Sequence, residues 1–499
     1  MKIFQLIRLR LSRGFSIRAT GPNEARFLFD AAAALIAGLC ATLFCVEFAP
    51  TIDWLRGIEL TAVLCLCFVS FNLILGIYSR FRLTLARVKA LVLCVSVVLS
   101  GLAGWGLFRE GPAVVLWCML VTGPVVVARL LLSLHTGRHR ALARIASKAG
   151  GPVLVIGGAG YIGSHTVDQL LREGHEVRVL DRLMYGEGSL AEFRGHKRFT
   201  LIDGDVTDIA KLTTALKDCS AVVHLAGLVG DPACAVSPEF TRHTNIIATR
   251  MARQVAEAMG VRRFIFASSC SVYGMSDSPV NETDALNPVS LYAQTKIDSE
   301  RELLANVGDD FFVTILRFAT VFGHSRRPRF DLVGNLFTAQ AMMDGLITVV
   351  GPSQWRPFIH VRDLARSIAA VLKADERLVQ SQVFNVGDER LNLTILQLAE
   401  CVKKVVSARK PVDISITENP QDRRNYCVSF TKIRETLGFR AATLIEDGVE
   451  EMVLQFQALA YEHYRSAQYS NVAMTAKAVE AFHDPDQTAH LYAPVGQRT

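Results

Sequence analysis

The stretch Gly151–Gly163, GPVLVIGGAGYIG, constrains the fold of this chain more than any other. Its aliphatic run Val153–Ile156 predicts a buried parallel strand, and a helical pattern begins at Tyr161, directly after a glycine-rich turn. Strand, glycine turn and helix in this order are typical of a dinucleotide-binding fold, because glycines let the backbone approach a pyrophosphate at a helix N-terminus. The residues predicted to contact the cofactor here are Gly157, Gly160, Tyr161, Ile162 and Gly163.

The chain has 499 residues, enough for two or three domains. Its charge is unevenly distributed: residues 1–148 contain 17 Lys+Arg and 6 Asp+Glu, a net charge of +11, which leaves −4 for the remainder. The basic part is also the most hydrophobic part, so we expect a membrane surface as its partner and no nucleic acid. The 11 cysteines form no zinc-like spacing, so we predict reduced core thiols and no metal site.

Four apolar stretches of about twenty residues follow a basic N-terminal segment, 1–26. They lie at about 27–49, 58–78, 88–108 and 113–134, and each is long enough to cross ~30 Å of hydrocarbon. They predict a four-span transmembrane region over 27–135 and a basic linker over 136–150; buried helices of a water-soluble domain are the alternative. Because Lys and Arg gather before the first span, between the second and third, and after the fourth, both ends of this region are expected to be cytoplasmic. The lipid bilayer is therefore a predicted partner. The four-span arrangement resembles that of bacterial membrane-bound enzymes, which implies the inner membrane as the location.

Beyond the glycine turn, hydrophobic periodicities alternate between strand and helix, which predicts an α/β Rossmann-type, doubly wound parallel sheet over 151–325. The second predicted strand ends at Asp181, whose carboxylate would accept hydrogen bonds from a ribose and repel a 2′-phosphate. NAD is therefore the predicted cofactor, and the neighbouring Arg182 leaves NADP as an alternative. Residues further along that are predicted near the cofactor are Leu225, Ala226 and Gly227, which follow the strand 221–224, and Asn245 on the next helix.

A tyrosine and a lysine on a helical pattern, downstream of a serine-bearing strand end, are candidate catalytic residues. Ser269 follows the fifth predicted strand, and the sequence Tyr292-Ala293-Gln294-Thr295-Lys296 lies on a helical pattern whose spacing of four places Tyr292 and Lys296 on one face. A tyrosine with its ordinary pKa near 10 is a poor base at neutral pH. A nearby ammonium and a positive nicotinamide ring are expected to lower that pKa, which makes Tyr292 a candidate base.

These motifs resemble the extended short-chain dehydrogenase/reductase family, in its NAD-dependent sugar-nucleotide epimerase/dehydratase branch. The resemblance runs from Pro152 to Gly438 and rests on six segments: GGAGYIGSH (157–165), GDVTD (204–208), HLAG (224–227), SSCSVYG (268–274), YAQTK (292–296) and RPFIHVRDLA (356–365). It implies that Ser269, Tyr292 and Lys296 are catalytic, with Lys296 also holding the cofactor ribose. It further implies that Asp181, Asp205 and Val206 hold the adenosine half of NAD, and that the helices of the Rossmann half can form a homodimer.

The residues after Ser269 distinguish reactions within this branch. Its dehydratases carry an Asp-Glu pair where this chain has Cys270 and Ser271, and its decarboxylases tend to place a Glu at the second position. Neither Cys270 nor Ser271 can serve as a carboxylate. The chain therefore most resembles the 4-epimerases of the uridine-diphosphate-glucose type, although Val229 stands where many of those have a Lys. The implied reaction is reversible oxidation at sugar C4. A nucleotide-sugar 4-ketoreductase, another nucleotide-sugar oxidoreductase or dehydratase, and a non-catalytic NAD-bound membrane scaffold are the alternatives.

The C-terminal part, 326–450, is predicted to be mainly a substrate-binding lobe for a nucleotide-diphosphate sugar. By the resemblance, the Asn335 amide faces the diphosphate. Arg356 and one of Arg423 and Arg424, with Arg424 preferred, are candidate phosphate ligands because a planar guanidinium pairs bidentately with phosphate oxygens. Residues 451–499 are predicted to form a helix and a polar tail.

Overall fold

The computed structural model describes residues 150–305, 311–418, 424–459 and 463–483, which all fall within one compact unit, Leu142–Thr499. The basic segment 1–26, the predicted spans over 27–135 and nearly all of the predicted linker lie outside the described residues, as does the tail 484–499. In the described ranges, no helix is long and apolar enough to cross a bilayer.

The strands of the described part are β1 Val153–Ile156, β2 Val177–Asp181, β3 Phe199–Asp203, β4 Ala221–His224, β5 Arg263–Ser269, β6 Phe312–Phe318, β7 Thr320–Phe322, β8 Leu346–Val350, β9 Trp355–His360, β10 Val383–Val386, β11 Asn392–Thr394 and β12 Asp413–Thr417. The α-helices are α1 Tyr161–Arg172, α2 Ile209–Leu216, α3 Asp231–Val236, α4 Pro238–Arg242, α5 Ala248–Ala258, α6 Leu291–Ala305, α7 Val333–Met343, α8 Val361–Lys373, α9 Glu376–Val379, α10 Ile395–Ser407, α11 Thr431–Leu437, α12 Ile445–Leu459 and α13 Asn471–His483.

One parallel sheet organises the described residues, with seven strands in the order β10-β6-β5-β4-β1-β2-β3. Strand β1 pairs with β2 on one side and with β4 on the other, so Val153 lies between Val177 and Ala221. The chain reverses its direction of strand addition at this point. In open α/β sheets, ligands bind at the carboxyl ends of the strands beside such a reversal. The predicted doubly wound parallel sheet is confirmed.

Helices cover both faces of the sheet. Successive residues of the central strand β1 point to opposite faces, and all four are apolar and buried. Val153 and Val155 pack on the side of α1 and α8, and Leu154 and Ile156 pack on the side of α2 and α5. A parallel strand between two helical layers is expected to be apolar along its whole length, as β1 is. The bounds of β1 and β4 are those predicted, and β5 includes Ser269, which was predicted to follow it.

The second lobe has its own apolar core, in which Phe322, Phe358, Leu398 and Val453 are buried between α7, α10, α12 and the β8–β12 pair. After β9 the chain returns to the Rossmann half. Helix α8 packs against α1, and β10 pairs with β6 at the edge of the main sheet. The predicted boundary at 325 therefore separates the lobes only in part, since residues 361–386 return to the Rossmann half.

Candidate active site

The glycine turn between β1 and α1 is shaped by two close approaches. Gly157 has a φ of +85°, and a Cβ there would lie 2.6 Å from the Ala226 backbone nitrogen. A Cβ on Gly163 would lie 2.2 Å from the Gly157 carbonyl oxygen, so α1 can pack this close only with glycine at that position. Helix α1 begins after Gly160, which offers no side-chain cap. The first-turn N–H groups, which include that of Ile162, therefore suit a pyrophosphate.

Asp181 sits at the end of β2, beside this turn. Its carboxylate accepts hydrogen bonds from the backbone N–H groups of Ala159, at 2.9 Å, and Leu183, at 2.8 Å. Burial raises the pKa of this carboxyl above its ordinary value. Arg182 lies 3.6 Å from the Asp205 carboxylate, so this arginine has an acidic partner in the protein. Val206 is buried in the same cluster as Leu180, which sets the Asp205 loop against the end of β2.

The loop after β4 lies against the glycine turn. The backbone N–H groups of Leu225 and Ala226 both donate to the Ile156 carbonyl, at 2.9 and 3.0 Å. Because Gly227 has no side chain, the Asn245 and Lys296 side chains can approach its backbone. A Cβ there would lie 3.1 Å from the Asn245 amide oxygen and 3.8 Å from Lys296 Nζ. Leu225, Ala226 and Gly227 therefore lie beside the glycine turn, and their contact with the cofactor stays a prediction.

The Asn245 side chain is committed to protein atoms. Its amide oxygen accepts from the Leu228 N–H, at 2.7 Å, and its Nδ2 donates to the Leu228 carbonyl and to the Thr295 hydroxyl, at 3.0 and 3.1 Å. It lies in a π-helical turn, His243–Ile247, a conformation that is frequent at functional sites. The Asn245 side chain thus holds the β4 loop to α6, and its contact with the cofactor stays a prediction.

The structure brings the three candidate catalytic residues together. Ser269 is the last residue of β5, and Tyr292 and Lys296 lie one turn apart near the start of α6. The Ser269 hydroxyl hydrogen-bonds to the Tyr292 phenol. Lys296 Nζ donates to the Ala267 carbonyl at 2.7 Å and lies 5.9 Å from the centre of the Tyr292 ring.

The ionisation of Tyr292 differs from the prediction. Burial raises the pKa of its phenol above the ordinary value, and the hydrogen bond from Ser269 opposes that rise only in part. Burial also lowers the pKa of Lys296 to about 8, and its ammonium is directed to a backbone carbonyl. In the protein alone, Lys296 therefore does not bring the Tyr292 pKa down, because the cost of burying a phenolate dominates.

The two predicted arginines of the substrate lobe lie side by side. Arg356 donates to the Arg424 carbonyl and to the Trp355 carbonyl, the latter at 2.8 Å. Arg424 forms an ion pair with Asp231 of α3, at 3.2 Å, and the Ser290 hydroxyl donates to the same carboxylate at 2.7 Å. The pair therefore lies next to the start of α6, at the boundary between the two lobes, which we call the cleft. Arg423 lies outside the described residues.

The Asn335 side chain links the glycine turn to the substrate lobe. Its amide oxygen accepts from the Gly323 N–H at 2.8 Å, and its Nδ2 donates to the Arg329 carbonyl at 2.9 Å and to the Tyr161 hydroxyl at 3.1 Å. The Tyr161 phenol in turn donates to the Gly323 carbonyl, and burial raises its pKa. The Asn335 amide therefore ties the glycine turn to the substrate lobe, and its contact with a diphosphate stays a prediction.

Three buried polar side chains at the cleft were not predicted: Arg327, Asn471 and Thr475. In the described part of the chain, Arg327 Nε and Nη2, Asn471 Oδ1 and Thr475 Oγ1 are buried and have no hydrogen-bond partner. Arg327 stacks on Tyr185, with its guanidinium carbon 3.7 Å from the ring centre, and burial lowers its pKa to about 10. The arginine-rich run 326–329 is a sequence signal for the first of these residues, whereas nothing in the sequence around 471–475 indicates the cleft.

The site resembles that of a short-chain dehydrogenase/reductase. It combines a glycine turn typical of dinucleotide binding with a Ser-Tyr-Lys group at one edge of a parallel sheet. Comparisons with known proteins agree. The model of the NAD dependent epimerase/dehydratase family matches residues 153–387. UDP-glucose 4-epimerase of Lactobacillus helveticus is 30% identical over 310 residues, which cover 58% of this chain and 91% of that protein. UDP-glucuronic acid decarboxylase 1 of Danio rerio is 28% identical over 328 residues, covering 64% of this chain and 75% of that protein.

A solved structure gives the same result. The crystal structure of UDP-glucose 4-epimerase from Thermotoga maritima with UDP-glucose has a TM-score of 0.55 and 26% identity, and covers 62% of this chain and 99% of that one. The chain belongs to the NAD dependent epimerase/dehydratase family. The family is NAD-dependent, so the cofactor predicted from Asp181 is confirmed.

Proposed function

We propose that this chain is a nucleotide-sugar epimerase that inverts C4 of its sugar through a transient 4-keto intermediate. The observation that carries the proposal is the set of side chains at the end of β5 and the start of α6. The proximity of Ser269, Tyr292 and Lys296 supports oxidation at a hydroxyl-bearing carbon. The two residues after Ser269 supply no carboxylate.

Tyr292 is the proposed acid and base. Its phenolate takes the proton of the C4 hydroxyl and later returns it, while the Ser269 hydroxyl hydrogen-bonds to the reacting oxygen. When bound, NAD supplies a hydride acceptor and donor and a positively charged ring. Because burial alone raises the Tyr292 pKa, the tyrosine needs this added positive charge to ionise near neutral pH.

The neighbours of Ser269 favour epimerisation over elimination. Cys270 is buried, donates to the Arg317 carbonyl at 3.2 Å, and has its pKa raised by burial, so it is held as a neutral thiol. Ser271 is also buried, and its hydroxyl has no partner among the described residues. A dehydratase needs an acid and a base beside the sugar, and neither residue can take those roles at neutral pH.

Buried N–H groups of Arg327 that have no partner among the described residues support an anionic substrate. Arg327 is 6% exposed, and a guanidinium that is buried with unpaired N–H groups is costly unless an anion joins it. Arg356 and Arg424 lie together at the cleft, where Arg424 is held by Asp231. We assign these arginines to the diphosphate and other anionic groups of a nucleotide sugar.

The catalytic part is further proposed to be tethered to the cytoplasmic face of a membrane. The four apolar stretches over 27–135 and the +11 charge of residues 1–148 support this proposal. The full chain is then expected to sediment with membranes and to resist extraction by salt and alkali, whereas a chain starting at residue 142 does not. Equal release of both chains by alkali contradicts the tether.

The function is tested with detergent-purified full chain and a panel of UDP-sugars, with products identified by NMR and without added cofactor. We expect interconversion of C4 epimers and one NAD released per chain on denaturation. Tyr292→Phe should abolish turnover while NAD stays bound. A requirement for one equivalent of reduced cofactor per product contradicts the proposal and favours a ketoreductase, and turnover retained in Tyr292→Phe refutes the assigned base.

A further inference from the structure

The segment 463–483 crosses from the substrate lobe to the Rossmann half. At its start, the Tyr464 and Tyr469 rings pack on Phe330 of the substrate lobe, with centres 6.1 and 5.3 Å away. At its end, the Phe482 ring lies 5.1 Å from Phe240 of α4. The helix between them, α13, therefore spans the cleft that separates the two lobes, and it lies beyond the residues that the family model matches.

The first residue of α13 contacts both sides of this cleft. The Asn471 backbone N–H donates to the Asp331 carboxylate of the substrate lobe, at 3.3 Å. Its side-chain Nδ2 donates to the Val229 carbonyl in the loop after β4, at 3.2 Å. Further along α13, Val479 packs on the same apolar cluster as Tyr292, so the helix runs beside the proposed base.

Two polar atoms on this inner face are unsatisfied. Asn471 is 2% exposed and Thr475 is fully buried, and the two lie one turn apart on the face that continues with Ala478, Val479 and Phe482. Across the described residues, neither Asn471 Oδ1 nor Thr475 Oγ1 has a hydrogen-bond partner. Buried polar atoms are nearly always paired, so both atoms call for a partner from outside the protein.

The chemistry of these atoms selects the partner. Asn471 uses Nδ2 on Val229, which leaves its oxygen as a pure acceptor, and the Thr475 hydroxyl can accept or donate. An amide oxygen repels a phosphate oxygen and suits a hydroxyl donor. A group rich in hydroxyls, next to the proposed base, is the sugar ring of the substrate.

We infer that α13 is part of the substrate site and that Asn471 and Thr475 hydrogen-bond to hydroxyl groups of the bound sugar. This inference rests on the proposed function for its ligand class. Part of the recognition of the sugar then lies in the segment 463–483, beyond the residues that the family model matches. Other residues bind the nucleotide.

The test compares binding of UDP with binding of UDP-sugars to the full chain, by calorimetry. The quantity compared is the gain in affinity that the attached sugar provides. Thr475→Val removes the hydroxyl and keeps the shape, and Val472→Thr makes the reverse change on the exposed face of the same helix. We expect Thr475→Val to reduce the gain in affinity from the attached sugar about 2- to 12-fold, the effect of one hydrogen bond, with UDP affinity unchanged. Val472→Thr should change neither.

The unfolding temperature distinguishes a loss of sugar binding from a folding defect. Replacing an unpaired buried hydroxyl with a methyl group should leave the unfolding temperature of the ligand-free chain equal or higher. The inference is overturned if Thr475→Val leaves the sugar's gain unchanged, if UDP affinity falls equally, or if no attached sugar improves binding to the natural chain. Binding that depends on Thr475 without any epimerisation would uphold the inference and refute the proposed function.

Discussion

A buried ion pair anchors α6, the helix that carries Tyr292 and Lys296, and removing the pair tests this part of the fold directly. Glu300 of α6, one turn after Lys296, is 3% exposed in its side chain, and Arg317 of β6 is 5% exposed. Their closest atoms, Arg317 Nη2 and Glu300 Oε2, are 2.7 Å apart, and the Ser268 hydroxyl also donates to Glu300. The pair therefore fixes α6 to the two strands beside it.

Glu300→Gln keeps the shape and removes the charge, so Arg317 stays buried without its counter-ion. Breaking a buried pair in this way costs about 3–5 kcal/mol. Because the amide retains some hydrogen bonding, we expect the lower value, about 3 kcal/mol. For a unit of about 320 described residues, an unfolding entropy of about 2.1 cal/mol/K per residue gives roughly 0.7 kcal/mol/K, so the melting temperature should fall by about 4–5 °C.

The assay is differential scanning calorimetry of the full chain, with a matched variant on the same helix. Glu302 pairs with Arg250 at 3.2 Å, but the two side chains are 26% and 40% exposed. Exposed pairs contribute little, so Glu302→Gln should shift the melting temperature by less than about 1 °C. The double variant Glu300→Leu, Arg317→Met should recover most of the loss, because the buried charges go together. Equal shifts for Glu300→Gln and Glu302→Gln would refute the anchoring role.

Three further predictions concern the site itself. For Lys296, the folded-state pKa of about 8 lies below its ordinary 10.5, so the unfolded chain holds this proton at pH values where the folded chain has lost it. Stability should rise from pH 8 to 10.5 by about 3 kcal/mol relative to Lys296→Met in urea titrations, and parallel curves would contradict this. Gly157→Ala should abolish NAD retention, because φ is +85° and the added Cβ meets the Ala226 backbone; a variant purified with full NAD would contradict the close approach. Arg327→Leu should weaken UDP-sugar binding at least tenfold in calorimetry without lowering the melting temperature, and unchanged affinity would show that its guanidinium faces no anion.

Local patterns were enough to predict the elements that carry the cofactor and the catalytic group. The strand β1, the start of α1 and the positions of Ser269, Tyr292 and Lys296 follow from runs of neighbouring residues and from helical spacing. These features depend on contacts within a few residues, which a single sequence displays.

The rest of the site depends on contacts that are distant in the chain. The Asn335 amide donates a hydrogen bond to the Tyr161 hydroxyl, 174 residues away, and no local sequence pattern predicts that partner. The sign of the Tyr292 pKa shift is set by burial, which is a property of the whole fold. The return of β10 to the main sheet and the path of α13 across the cleft are likewise decided by which apolar surfaces remain to be covered.

The fate of the C4 hydrogen tests the central claim most directly. Full chain is incubated with a UDP-sugar that carries deuterium at C4, and the epimeric product is examined by NMR and mass spectrometry. If hydride leaves C4 and returns to the opposite face within one site, the product retains deuterium at C4 and gains no solvent hydrogen at C3 or C5. Loss of deuterium from C4 to solvent, or exchange at C3 or C5, would contradict the account.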